Sequence, residues 1–148
     1  MTERKTLFRD VLLFLKNIID SNLEDPRQGN RSKTSSFIMT SFPDREVQYP
    51  LITLEVVNSE QVRAGMQSTR MDIGLEIQIR VWSKSVTQSD RLGEQILDLL
   101  AKEQFDSNGS VDNDFHDYNI GASVRVDEPG KGATKSRIIQ LNYKFYNL

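Results

Sequence analysis

Hydrophobic and polar residues alternate strictly over Asp72–Trp82, DIGLEIQIRVW. Ile73, Leu75, Ile77, Ile79 and Val81 fall on every second position, with Gly74, Glu76, Gln78, Arg80 and Trp82 between them. A strand turns successive side chains to opposite faces, so the run predicts a long antiparallel strand with one oily face and one largely polar face. No helix could gather those five apolar residues on one side. The polar face then poses the functional question, because it meets either water or another chain.

The rest of the pattern supplies the elements around that strand. Over residues 3–22, Phe8, Val11, Leu12, Leu15, Ile18 and Ile19 recur at spacings of three and four, which predicts a helix with Thr2 as its N-cap. Leu13 and Phe14 widen its apolar face. Residues 23–35 hold Asp25-Pro26 and Gly29-Asn30 and no apolar period, so they read as a polar loop. Phe37–Phe42 reads as a first short strand ended by Pro43. Tyr49–Val57 reads as a second, with Pro50 at its start and Ile52, Leu54 and Val56 on one face. It pairs with 72–82 as a hairpin whose connection, about 58–71, is too long for a tight turn and projects from the body.

After Trp82 the period lengthens to that of a helix, with Leu92, Ile96, Leu99 and Leu100 on one side. Thr87 and Asp90 have capping-box spacing. Asp90, Glu94 and Asp98 recur every fourth residue opposite the leucines, which a solvated face explains without further function. A second polar connection covers 106–119. Ile120–Val126 reads as a strand with Ala122, Val124 and Val126 on one face. Glu128–Gly132 reads as a turn, and Ser136–Leu148 as a strand with Ile139, Leu141, Tyr143 and Phe145 on one side. The predicted fold is α+β: a single, mostly antiparallel sheet with two helices packed on one face, in the order α-β-β-β-α-β-β. At 148 residues this is one domain.

Composition narrows the function classes. The net charge of −2, spread along the chain, argues against a protein held on nucleic acid by phosphate contacts. There are no cysteines, hence no disulfide staples and no thiolate metal sites. Apolar runs are too short for a membrane span, and MTERKTLFRD does not look like a signal peptide, so the protein is expected to stay in the cell that makes it. Asp112, Asp114, His116 and Asp117 invite a metal reading. Counted from Asp112, however, the sixth residue is Asp117 and the twelfth Ser123, where an EF-hand needs Gly and Glu. His116 is the single histidine, so one subunit has no two-histidine site and no nucleophile with a recognisable base. Gly130-Lys131-Gly132 lacks the phosphate-loop pattern. The expectation is a non-enzyme without metal or cofactor.

The order of elements, with the run FPDREVQYPLITLEVV and the strand DIGLEIQIRVWSK leading into a capped amphipathic helix, resembles the tail-terminator (tail-completion) family of long-tailed phages and tailed archaeal viruses. Leu75–Ser83 and Thr87–Leu100 carry the match, which covers roughly residues 3–104 and the last strands loosely. The polar insertion at 23–35 has no counterpart in the family pattern. The resemblance implies a structural virion protein, assembled in the host cytoplasm and located at the tail or neck. It implies a homo-oligomeric ring, usually a hexamer, that caps the tail tube protein and ends tube growth. Such a ring meets the neck or connector proteins of the head and lets DNA pass through its hole. In that setting Glu76, Gln78 and Arg80 would form a subunit interface, and Arg63, Met66 and Arg70 a loop reaching the tube. Asp90, Glu94 and Asp98 would be an acidic stripe facing the lumen. The alternatives are another head–tail neck protein, or a non-viral cytoplasmic module whose sheet binds a peptide or small ligand.

Overall fold

A computed structural model of the chain describes residues 7–27, 36–40, 48–63, 71–105, 115–127 and 134–146. The elements run α1 (Leu7–Asn22), β1 (Ile38–Met39), β2 (Leu51–Arg63), β3 (Met71–Ser83), α2 (Val86–Phe105), β4 (Phe115–Asp127) and β5 (Lys135–Tyr146). This is the α+β order expected from the sequence. The five strands form one sheet in the order β1-β2-β3-β5-β4. Every pairing is antiparallel except that of the two-residue β1, which runs parallel to β2.

The alternating strand sits at the centre of the sheet. β3 pairs with β2 from Leu51↔Trp82 to Arg63↔Met71, and with β5 from Asp72↔Tyr146 to Ser83↔Lys135. Its five apolar side chains are all essentially buried, and Ile52, Leu54, Ile139, Leu141 and Tyr143 continue the oily layer on its neighbours. Both helices close over that layer. α1 contributes Val11, Leu15 and Ile19, followed by Leu23, and α2 contributes Leu92, Ile96 and Leu100. Phe14 meets Tyr143 edge-on, with ring centroids 6.3 Å apart. Phe8, expected on the buried side of α1, is half exposed, so burial begins one turn later at Val11.

Two strands are longer than the sequence pattern predicts, for the same reason. β2 continues through residues assigned to the 58–71 connection, because a register shift between Val56 and Asn58 inserts Val57 as an extra residue. Such a bulge resets the two-residue period. Beyond it Asn58, Ser59, Glu60 and Gln61 are exposed, so nothing apolar marks the continuing ladder. β4 starts at Phe115 rather than Ile120 and carries two shifts, at His116/Asn119 and Ile120/Ser123. These place Val124 opposite Ile138 and Val126 opposite Ser136, on the face away from the helices. The expected Thr2 cap and most of the 23–35 loop lie outside the described residues.

The start of α2 also differs from expectation. Ser85, not Thr87, caps the helix: its Oγ accepts from the backbone N–H of Gln88 at 3.4 Å. Ser83 Oγ donates to Gln88 Oε1 at 2.7 Å. Ser85-x-x-Gln88 is itself capping-box spacing, with a side chain long enough to reach back. Asp90 instead meets Arg137 of β5, whose Nε donates to Oδ1 at 3.1 Å. The Arg137 Nη1 donates to Ser123 Oγ of β4, also at 3.1 Å. The stem of Arg137 crosses α2 at the buried Gly93, where an added Cβ would come within 2.8 Å of Arg137 Cδ. One arginine thus ties the outer pair of strands to the helix.

Two measurements test this account. Ile77→Ala and Ile79→Ala should each cost about 2–5 kcal/mol in urea unfolding, the range for truncating a fully buried isoleucine, whereas Val124→Ala should stay within about 0.5 kcal/mol. Gly93→Ala should be close to neutral. Its helix-propensity gain of about 1 kcal/mol offsets displacement of a partly exposed ion pair worth at most about 1 kcal/mol. In that background the Asp90/Arg137 double-mutant coupling should vanish.

Candidate assembly surface

The open face of the sheet is built by β3. Glu76, Gln78, Arg80 and Trp82 point away from the helices, and all four are half-buried. Their neighbours by register are Asn58, Glu55, Thr53 and Leu51 on β2, and Asn142, Gln140, Ile138 and Ser136 on β5. The expected interface residues are therefore brought together. Because β3 is hydrogen-bonded to a strand on each side, its backbone cannot recruit another strand. Glu76, Gln78 and Arg80 can meet a second chain only through side chains on the sheet face.

Trp82 completes this surface and was not among the expected residues. Its signal lay in the same alternation, at 76, 78, 80 and 82. The Arg80 guanidinium lies 3.8 Å from the centroid of the Trp82 ring, a cation–π stack. Arg80 Nε donates to Ser136 Oγ at 3.1 Å, and that hydroxyl donates to the Val126 carbonyl at 2.6 Å. Trp82 Nε1 donates to Thr53 Oγ1 at 3.0 Å. These bonds fix both large side chains in place. Beside them a cavity of about 270 Å³ is lined by Thr40, Thr53, Glu55, Gln78, Arg80 and Trp82. A pre-ordered Trp–Arg pair ringed by amides and carboxylates has the composition of a protein-contact hot spot. With Glu55 and Glu76 nearby, it suits a polyanion poorly.

The other expected sites are placed less completely. Arg63 ends β2, at the tip end of the β2–β3 hairpin, while Met66 and Arg70 lie outside the described residues. The three carboxylates of α2 share one broad side of the helix but meet different surroundings. Each four-residue step advances about 40° around a helix, so Asp90 and Asp98 differ by roughly 80°. Asp90 leans to Arg137 of β5. Asp98 lies on the side of α1, and Glu94 is exposed between them.

Asp98 belongs to a groove of about 680 Å³ between α2 and the turn that follows α1. Leu23, Leu92 and Leu99 give it an apolar floor, and Glu24, Asp25 and Asp98 stand at its rim with Arg91. The turn is held by the Arg27 backbone N–H, which donates to Asp25 Oδ1 at 2.9 Å, and by Arg27 Nε, which donates to the Tyr49 carbonyl. The turn side of the groove therefore lies near the Leu51/Trp82 end of the hairpin, and its other wall runs along α2 from Gln88 to Leu99.

Among the described residues, no group of three or more His, Cys, Asp or Glu side chains could hold a metal ion. Among the described residues, no helix is long and apolar enough to cross a membrane. Asp112 and Asp114, weighed above as metal ligands, lie outside the described residues. No protein-family model matches the chain, and no curated protein matches it in sequence.

Proposed function

We propose that this chain is a structural, non-enzymatic virion subunit of the tail-terminator type: a ring that caps the tail tube, ends its growth and joins it to the neck. The observation that carries the reading is the pairing of the α-β-β-β-α-β-β order with a long β2–β3 hairpin. These are the features on which the family resemblance rests. The locked Arg80–Trp82 pair supports it, since a fixed, mixed-charge face favours contact with protein over retention of DNA. A head-to-tail ring needs two different surfaces on each copy. The sheet face is one candidate, and the end of the β2–β3 hairpin at Arg63 and Met71 is the other.

Electron microscopy of the purified chain with its tail tube protein tests the reading, with rings on tube ends as the expected result. A chain that stays monomeric alone and never associates with tubes overturns it. Within that reading, Glu76→Lys should weaken assembly by roughly tenfold to hundredfold, the effect of about 1.4–3 kcal/mol at an interface, as read by sedimentation. Its thermal midpoint should stay within about 2 °C of the parent. Arg80→Glu is the poorer probe, because it also breaks the contacts to Trp82 and Ser136 that belong to the fold.

A further inference from the structure

We propose that the open face of the sheet pairs with the same face of a second copy, with β3 lying antiparallel over its counterpart and Gln78 at the two-fold axis. The outward row of β3 carries the argument. Gly74, Glu76, Gln78, Arg80 and Trp82 stand on one face of the sheet, and the row is self-complementary about its middle residue. Two positions before Gln78 is an acid, and two positions after it is a base. Four positions before it is a residue without a side chain, and four after it is the single tryptophan. In a two-fold contact residue i meets residue j, and j meets i. An axis over Gln78, lying between the two sheets and across the strands, sets Glu76 against Arg80 of the second copy and Gly74 against its Trp82. Each contact is made twice.

The structure prepares both halves of that match. Arg80 is held before any partner arrives, by the Trp82 ring at 3.8 Å and by Ser136 Oγ at 3.1 Å, so its charge is presented in one place. Above Gly74 there is room, because a Cβ built there meets nothing within 4 Å. A glycine inside a strand gives up packing and marks a place where another chain approaches closely. Ile138 and Val124 continue the row of Arg80 across β5 and β4, and Val124 is 48% exposed, so apolar surface flanks the charged centre. The contact is small. Four strands about 4.8 Å apart and nine residues at about 3.3 Å each outline roughly 500 Å² per copy, the low end for a specific interface. Glu55, opposite Gln78 on β2, meets its own counterpart across the axis, and that like-charge contact weakens the pair further. The dimer is therefore reversible. It covers the face while the chain is free and yields it to a ring neighbour, but the pairing itself does not rest on the ring reading.

Sedimentation equilibrium without tube protein measures the pairing, and the parent chain should dimerise with rising concentration. Gly74→Val, whose Cβ meets nothing in its own chain, occupies the space that Trp82 of the second copy needs. It should weaken the dimer about tenfold with the thermal midpoint unchanged or raised, and Glu55→Gln should strengthen the dimer about threefold. The absence of native cysteines lets position be read directly. Gln78→Cys should link to itself through a short bifunctional thiol reagent, since facing sheets lie about 10 Å apart. Asn142→Cys, opposite Glu76 on β5, should link to itself far more slowly, but readily to Ile138→Cys, opposite Arg80. A parent chain monomeric at every concentration overturns the pairing. So does Gly74→Val dimerising like the parent, Glu55→Gln leaving the dimer no tighter, or Asn142→Cys linking to itself as readily as Gln78→Cys. Rings on tube ends leave the ring reading standing after any of those results, and a chain that pairs in this way but never caps tubes keeps the pairing and loses the ring.

Discussion

Everything in this molecule depends on the burial of one row of side chains, Ile73 to Val81 on the central strand. At about 25 cal/mol per Å² of apolar surface removed from water, five buried aliphatic residues in one row outweigh any polar contact on the surface. The row fixes register, because a one-residue slip would expose all of it. It sets the positions of α1 and α2, whose stripes of Val11, Leu15 and Ile19 and of Leu92, Ile96 and Leu100 have no other apolar surface of comparable length to cover. It also decides where interaction can occur. A strand hydrogen-bonded on both sides and buried on one face has a single remaining route to another molecule, its outward face.

That constraint gives Arg80 and Trp82 their character. An arginine on an open sheet face is by default a solvated, flexible charge. Here it is stacked on an indole and bonded to a buried serine, so its rotamer entropy is already lost before any partner arrives. A surface arranged this way is costly to keep for solvent alone. It is suited to a contact that must form in one orientation, as a repeating assembly requires.

The sequence made the apolar layers legible and hid the places where the period breaks. Strict alternation over 73–81 located the central strand and its two faces, and the three-and-four spacing located both helices. What could not be read were the bulges. Val57 adds one residue to β2, and beyond it Asn58, Ser59, Glu60 and Gln61 are all exposed, so the continuing strand looks like a polar loop. The shifts in β4 had the same effect, and they send Val124 and Val126 to the open face where apolar residues suggest a core. The cap was misplaced because Thr87–Asp90 and Ser85–Gln88 share a spacing. Only the structure shows Asp90 turned to Arg137, which Gly93 admits. Of the surface residues, Glu76, Gln78 and Arg80 were placed together by alternation. Of the three α2 carboxylates, Asp90 is engaged by Arg137 of β5, a pairing that four-residue spacing does not reveal.

The same bulge shapes the border of the sheet. Beyond Val57, β2 runs on as an exposed strand whose Ser59 and Gln61 pair with the buried Leu75 and Ile73 of β3. The oily layer is carried to that end by β3, which stays paired with β5 from Ser83 back to Asp72. A bulge that resets the two-residue period lets β2 keep its hydrogen bonds to β3 while its own side chains meet water. The central row is therefore flanked on both sides over its whole length, and its outward face, Glu76 to Trp82, is held by a backbone that cannot shift register without exposing the row beneath it.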